Sequence, residues 1–258
     1  MSESAGQKDS TRRFSNRVEN YLRFRPNYPN QILDFLATDC GLKPDSVIAD
    51  VGSGTGFLAE LFLANGNRVF GIEPNKEMRE AGERSLKKYP LFTSISATAE
   101  ETTVPSGSVD FVAAGQAFHW FDRQRCREEF KRILRPSGWI VLVWNDRRTD
   151  ATPFLRAYEQ LLLRCSTDYK QVDHKQIDTA VLRDFFKAEP TERSVPNFQH
   201  FDFPSLTGRL LSSSYVPAAG EQGYDEMLAE LKKLFDTHQQ EGRVVFEYDT
   251  RVFYGKLS

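Results

Sequence analysis

A chain of 258 residues with 27% charged side chains and a formal charge of −2 can bury a sizeable core. It offers no strong basic field to hold a nucleic-acid backbone, so nucleic acid is excluded as the main partner. Three scattered cysteines (Cys40, Cys126, Cys165) argue against a disulfide scaffold, and four histidines (His119, His174, His200, His238) show no metal-ligand spacing, so no metal is expected. Met1 to Arg13 lacks the apolar stretch of a targeting segment, and no apolar run approaches the ~18 residues of a membrane span. The expectation is a cytoplasmic protein, monomer or homodimer, that does not engage a membrane.

Residues 1–12 read as unstructured. Phe14, Val18, Tyr21 and Leu22 then share one helical face, which Pro26 closes. Arg25-Pro26-Asn27-Tyr28-Pro29 reads either as a stiff linker or as the strut of a lid over a pocket. Ile32, Leu33 and Leu36 predict a second helix, stopped by Gly41 and Pro44. Val47 to Val51 is a strand, followed by the turn Gly52-Ser53-Gly54-Thr55-Gly56. A helix carrying Phe57, Leu58, Leu61 and Phe62 runs on to Asn65-Gly66. Arg68 to Glu73 is a second strand ending in an acid, and Met78, Ala81 and Leu86 lie on the helix after it. A third strand spans about residues 91–97 and a fourth 109–114, with turn chemistry from Val104 to Asp110 between them. Phe130, Ile133 and Leu134 belong to a helix ending at Pro136-Ser137-Gly138, and Trp139 to Trp144 is a fifth strand. Such alternation predicts right-handed βαβ units and a largely parallel sheet covered on both faces.

The tail differs. Phe154, Tyr158, Leu161 and Leu162 mark a helix within a helical stretch over 151–190, and Asn197 to Phe203 reads as a sixth strand or an extended link. Tyr224, Met227, Leu228, Leu231, Leu234 and Phe235 form an amphipathic stripe. Val244, Phe246, Tyr248, Thr250 and Val252 alternate over a closing strand that, lacking a crossover helix, is expected antiparallel at or near a sheet edge. The expected fold class is α/β, a Rossmann-like doubly wound seven-stranded sheet. It is mostly parallel with one antiparallel C-terminal strand, plus a helical cap. N-terminal helices and a cofactor-binding core would occupy 13–150, a mainly helical cap or substrate region 151–240 with a sixth strand near 197–203, and the closing strand 241–258.

The strand–glycine turn–helix unit at Asp50 to Phe57 can cradle an anion, because its glycines permit positive φ and the helix start presents unpaired N–H groups. A G-x-G-x-x-G dinucleotide fingerprint would need glycine where Phe57 stands. Asp50, two residues before the first glycine, would repel a pyrophosphate but welcomes an ammonium group. A carboxylate with an ammonium beside it satisfies both features, and S-adenosylmethionine is such a zwitterion. Glu73 is placed to accept hydrogen bonds from two ribose hydroxyls, which would serve NAD equally well.

Asp50 to Gly56, Gly71-Ile72-Glu73-Pro74-Asn75, the Ala99-Glu100 pair and the run Pro105 to Val112 resemble the successive motifs of class I S-adenosylmethionine-dependent methyltransferases. Ala117 to Phe121 and Tyr21 to Pro29 are similar to segments of the type 11, trans-aconitate-methyltransferase-like small-molecule branch. The resemblance implies that Asp50, Gly52, Ser53 and Gly54 hold the methionine part, Glu73 the ribose, and Pro74 and Met78 an adenine face. Ala99 and Glu100 would read the adenine edge, and Gln116, Ala117 and Phe118 would border the methyl-transfer gap. Tyr21 and Arg25 would close over the cofactor carboxylate. The implied activity is methyl transfer to a small-molecule acceptor, with a carboxylate among the candidates, leaving S-adenosylhomocysteine.

Each sharp reading has a plain counterpart. His119 suits a general base at neutral pH, or serves as a wedge between Phe118 and Trp120. Trp120 and Tyr28 could face the sulfonium, and Trp144 and Arg147 the acceptor, though core packing and solvent are the commoner fates of such residues. Glu100 could equally be a solvated loop acid, and Asp110 reads as structural. No Asn/Asp-Pro-Pro-Tyr segment follows the fourth strand and no cysteine follows a proline, which argues against nucleobase acceptors. The competing readings are a Rossmann-type NAD(P) oxidoreductase, disfavoured by Phe57 and Asp50, and a non-catalytic cofactor-binding module.

Overall fold

The computed structural model describes residues 17–166, 169 and 179–257. The segment expected to be unstructured (1–12), Phe14 and His174 lie outside the described residues. The strands are β1 (Val47–Val51), β2 (Arg68–Ile72), β3 (Phe92–Ile95), β4 (Val109–Gly115), β5 (Leu134–Arg147), β6 (Thr191–Phe201) and β7 (Val244–Gly255). They form one sheet in the order β3-β2-β1-β4-β5-β7-β6, with β1 to β5 parallel and β7 antiparallel to both β5 and β6. The doubly wound, mostly parallel sheet with its antiparallel closing strand is thus present, with β7 one strand in from the edge.

The helices are α1 (Val18–Phe24), α2 (Gln31–Cys40), α3 (Phe57–Ala64), α4 (Lys76–Ser85), α5 (Arg123–Ile133), α6 (Pro153–Cys165), α7 (Thr179–Phe186), α8 (Phe203–Leu211) and α9 (Tyr224–His238). Because strand side chains alternate, β5 feeds both faces of the sheet. Val141 and Val143 pack with Ile32, Leu36 and Phe62 on one side, while Leu142 and Trp144 join Phe118, Phe130 and Phe185 on the other. A third core gathers α6, α8 and α9 over Phe246 and Tyr248 of β7. The strand order reverses between β1 and β4, and in such sheets ligands bind in the crevice beyond the strand C-termini at that switch point.

Three boundaries depart from the sequence reading. The helix expected to end at Pro136-Ser137-Gly138 ends at Ile133, and β5 begins at Leu134, which pairs with Val109. The proline sits where the register shifts between Val109 and Phe111, so its missing N–H interrupts no regular ladder. Strand β6 starts at Thr191 rather than near Asn197. Phe203 opens α8 instead of closing a strand: the Asp202 Oδ1 accepts the Ser205 N–H at 2.9 Å, and Pro204 falls in the first turn, where its lack of an N–H costs nothing.

Candidate active site

Beyond the strand ends the chain forms two adjoining cavities, sharing Tyr21, Gln116 and Trp120 as a common wall. The first, about 260 Å³, is lined by the glycine turn, by Glu73, Pro74 and Met78, and by Ala99, Glu100, Gln116 and Ala117. The turn is held by Gly52 and Ser53, whose N–H groups both donate to the Ile72 carbonyl (2.9 and 3.0 Å). Gly52 has φ +68°, and a Cβ there would lie 2.6 Å from that of Ala117, so only glycine fits. Glu73, at the end of β2, accepts the Gly54 N–H on Oε2 (2.9 Å) and the Asn75 N–H on Oε1 (2.8 Å). Those bonds fix the carboxylate in orientation while leaving each oxygen a lone pair for a ligand. Burial pushes its pKa up; the two N–H groups work against this.

Asp50 is fully buried at the end of β1, and neither carboxylate oxygen has a well-formed partner among the described residues. Burial raises its pKa to about 7; the Ala59 N–H opposes the rise, and the Glu73 charge adds a smaller push upward. A small cleft of about 30 Å³ runs from Asp50 past Ser53, Gly54, Phe57, Tyr21 and Tyr28. A cationic group arriving there would supply what the carboxylate lacks. An orphaned acid beneath a glycine turn, with a second acid held by backbone N–H groups a strand away, fits the ammonium and ribose of S-adenosylmethionine.

The second cavity, about 150 Å³, is walled by Arg25, Arg147 and Arg209 together with Tyr28, Tyr169, Tyr215 and Tyr248, and by His119, Trp120 and Asn145. Its arginines come from three separate places: the end of α1, the end of β5 and α8. Arg25 donates from Nε and Nη2 to Ser212 Oγ (3.1 Å) and Ser212 O (3.0 Å), and its guanidinium lies 4.9 Å from the Tyr21 ring centre. Burial lowers the Arg25 pKa, and the Arg209 charge lowers it further. Burial also opposes the Arg147 charge, but Tyr169, Tyr158, Tyr215 and Glu159 more than offset it. Asn145 ties the wall together: its Oδ1 accepts from Thr250 Oγ1 (2.5 Å) and Asn197 Nδ2 (3.2 Å), while its carbonyl accepts from Gln116 Nε2 (3.2 Å). Gly115 leaves room for Tyr28, whose Oη would lie 2.5 Å from a Cβ placed there.

Most residues singled out in the sequence come together here, with three adjustments. Phe118 is fully buried with its ring against Phe121, Trp144 and Phe185, so it is core rather than gap lining. Trp144 packs on Phe118 and Phe253, because alternation along β5 turns it away from the side that Asn145 and Arg147 face. Arg25 stands on the second cavity and not on the first, reaching the cofactor cleft only through Tyr21. Glu100 lines the cofactor cleft but gives one oxygen to the Asp122 N–H (2.9 Å). Asp110 is structural, accepting from Val47 N–H (2.8 Å) and from Arg135. His119 lines the second cavity with its ring 4.7 Å from that of Trp120. Arg209, Tyr169 and Tyr215 carry no site reading in the sequence, and Tyr248 reads there only as part of the closing strand. A signal for Arg209 existed: Asp202 marks a helix start, and Arg209 falls beside Leu206 and Leu210 on the buried face.

Comparison with known proteins agrees with this geometry. Residues 49–142 match the family model described as a methyltransferase domain. An uncharacterized methyltransferase of Schizosaccharomyces pombe is 31% identical over 155 residues, 60% of each chain. One of Mycobacterium bovis is 34% identical over 144 residues, 56% of each chain. The match thus spans less than two thirds of those relatives' length. Among solved structures, a putative type II methyltransferase from Anaeromyxobacter dehalogenans superposes with a TM-score of 0.67 at 22% identity, covering 91% of this chain and 98% of that one. A putative methyltransferase of an antibiotic biosynthesis pathway from Anabaena variabilis gives 0.55 at 22% identity, covering 91% and 99%. Residues 49–142 thus resemble the methyltransferase domain family, and the sheet around them has the class I S-adenosylmethionine-dependent methyltransferase fold. The cofactor of that family is S-adenosylmethionine.

Proposed function

We propose that this protein transfers a methyl group from S-adenosylmethionine to a small-molecule acceptor that carries a carboxylate. The observation that carries the reading is the junction of the two cavities at Tyr21, Gln116 and Trp120. One side offers acids to a zwitterion and the other offers guanidinium groups to an anion. The cofactor, when bound, supplies a methyl group already activated as a sulfonium. Asp50, the glycine turn and Glu73 hold and orient it. Gln116, braced by its side-chain bond to the Asn145 carbonyl and by its own N–H to the Val143 carbonyl (2.9 Å), keeps the two compartments in register. Trp120 and Tyr21 shield the junction from water. Alignment of this kind is worth ~7–11 kcal/mol, so a dedicated base is optional when the acceptor atom is already anionic. His119 stands on the acceptor side, the right side for a base where the acceptor atom is protonated.

No helix among the described residues is long and apolar enough to cross a membrane. Cys40, Cys126 and Cys165 are free thiols, in keeping with a reducing compartment such as the cytoplasm. Calorimetry with S-adenosylhomocysteine and NADH side by side tests the assignment. Binding of S-adenosylhomocysteine alone is expected, and NADH binding alone overturns it. A screen of carboxylates, phenols and amines for S-adenosylhomocysteine release then identifies the acceptor.

A further inference from the structure

The acceptor-side cavity carries more positive charge than the described residues neutralise. Three guanidinium groups line it, and among the described residues no carboxylate does. Of the three guanidinium groups Glu159 pairs with that of Arg147: its Oε2 accepts from Nη2 at 2.5 Å and from Tyr169 Oη at 3.0 Å, and Tyr169 Oη lies 3.3 Å from the same nitrogen. Arg147 Nη1 remains buried with no partner among the described residues. Arg209 is 6% exposed; its Nη1 makes long contacts to Ser212 Oγ (3.5 Å) and Ser213 Oγ (3.4 Å), and the guanidinium also meets the Tyr248 hydroxyl, a neutral partner. Its Nε is likewise buried and unpartnered. Both guanidinium carbons lie 5.7 Å from the centre of the Phe246 ring, so the two cations flank one aromatic floor. Leaving charged donors buried without acceptors is costly, and an anion bound between them removes that cost. Arg25, the third cation, already gives its Nε and Nη2 to Ser212.

We propose that Arg147 and Arg209 form a buried anchor for one carboxylate of the acceptor, which is bound but not methylated, the methyl group going to another atom of the same molecule. The proposal rests on the methyltransferase reading of the site and adds to it the identity of the anchor. A carboxylate accepting hydrogen bonds from two guanidinium groups has its lone pairs and charge engaged, which makes it a poor nucleophile. The end of the acceptor left outside the anchor is the one available to the shared wall at Tyr21, Gln116 and Trp120, where the cofactor cavity adjoins. Arg209 is thus a specificity-determining residue contributed by α8.

The test is calorimetry on the full chain saturated with S-adenosylhomocysteine, using succinate, succinamate and succinamide as probes of equal length and falling charge. With one anchor, succinate and succinamate bind within about threefold of each other and succinamide binds at least about tenfold more weakly. Arg209→Gln should weaken succinamate by about tenfold or more while S-adenosylhomocysteine affinity stays within about threefold, and Arg209→Lys should fall between the two. A prop for α8 alone would instead cost cofactor affinity and leave the three probes undiscriminated in the wild-type protein. Succinamide binding as well as succinate overturns the anchor, and so does undiminished succinamate binding by a folded Arg209→Gln protein. Succinate outbinding succinamate by about tenfold would also overturn it, by requiring a second anionic site. If Arg209→Gln does not fold, the wild-type probe series decides alone. Failure of the wild-type protein to bind S-adenosylhomocysteine would refute the methyltransferase reading itself and is read before any probe is added.

Discussion

Asp50 has a pKa of about 7 because it is sealed from water with no well-formed hydrogen bond, so its charge follows pH in the working range. Its unfolded value is ~3.9, which means that the empty protein prefers the protonated form and loses stability as pH rises from about 4 to 7. A bound ammonium group favours the ionised form, so binding at lower pH must release a proton. The Kd for S-adenosylhomocysteine should rise about tenfold per unit as pH falls below 7 and level off above it. Asp50→Asn should abolish that slope, weaken binding, and raise the melting temperature of the empty protein at pH 8 by a few degrees (~2–10 °C). Calorimetry across pH and thermal melts check both outcomes. For His119→Ala, the optional-base reading predicts a loss of only a few-fold in kcat, whereas a loss of ~10²-fold would assign His119 as the base for a protonated acceptor atom. Asp50 and Glu73 were legible because an acid closing an apolar strand is conspicuous in sequence. Arg147 was legible as one of two adjacent arginines, but which of the pair turns inward depends on strand phase. Arg147 faces the cavity, and Arg148 pairs outward with Asp249 and Glu247.

At the scale of elements, α1 and α8 act as a bolted pair. Arg17 donates to the carbonyls of Leu211, Ser213 and Val216, Arg25 donates to Ser212, and Gly208 lies against the ring of Phe24. A Cβ at Gly208 would come within 2.0 Å of Phe24 Cε2, so Gly208→Ala must push the helices apart. Overpacking of this kind costs ~1–3 kcal/mol, and the melting temperature should fall by ~2–10 °C. Because Tyr21 on α1 walls both cavities, the same variant should also weaken S-adenosylhomocysteine binding, as measured by calorimetry. The long helices and β1 to β4 were readable from periodicity and turn residues. Helix α8 was not: its nine residues include Pro204 and Gly208, and the apolar run leading into it from β6 imitates a strand. The start of β5 was missed for a related reason, since a Pro-Ser-Gly sequence normally stops a helix and here lies inside an irregular strand.

For the molecule as a whole, topology decided what the sequence could reveal. The cofactor cleft is built mainly from the turns after β1, β2, β3 and β4, within one continuous stretch from Gly52 to Phe121, with Tyr21 added from α1. Local patterns therefore contain most of it. The second cavity, the proposed acceptor site, draws on residues from Tyr21 to Tyr248, brought together only when β7 inserts between β5 and β6, and no local pattern encodes that. The domain match ends at residue 142, and Arg25, Arg147 and Arg209 all fall outside it. The proposed anchor therefore lies wholly in the part of the chain that the domain match does not reach. On the proposed reading, a substitution at position 147 or 209 changes which compound is accepted while leaving every residue of 49–142, and with it the donor cleft, untouched.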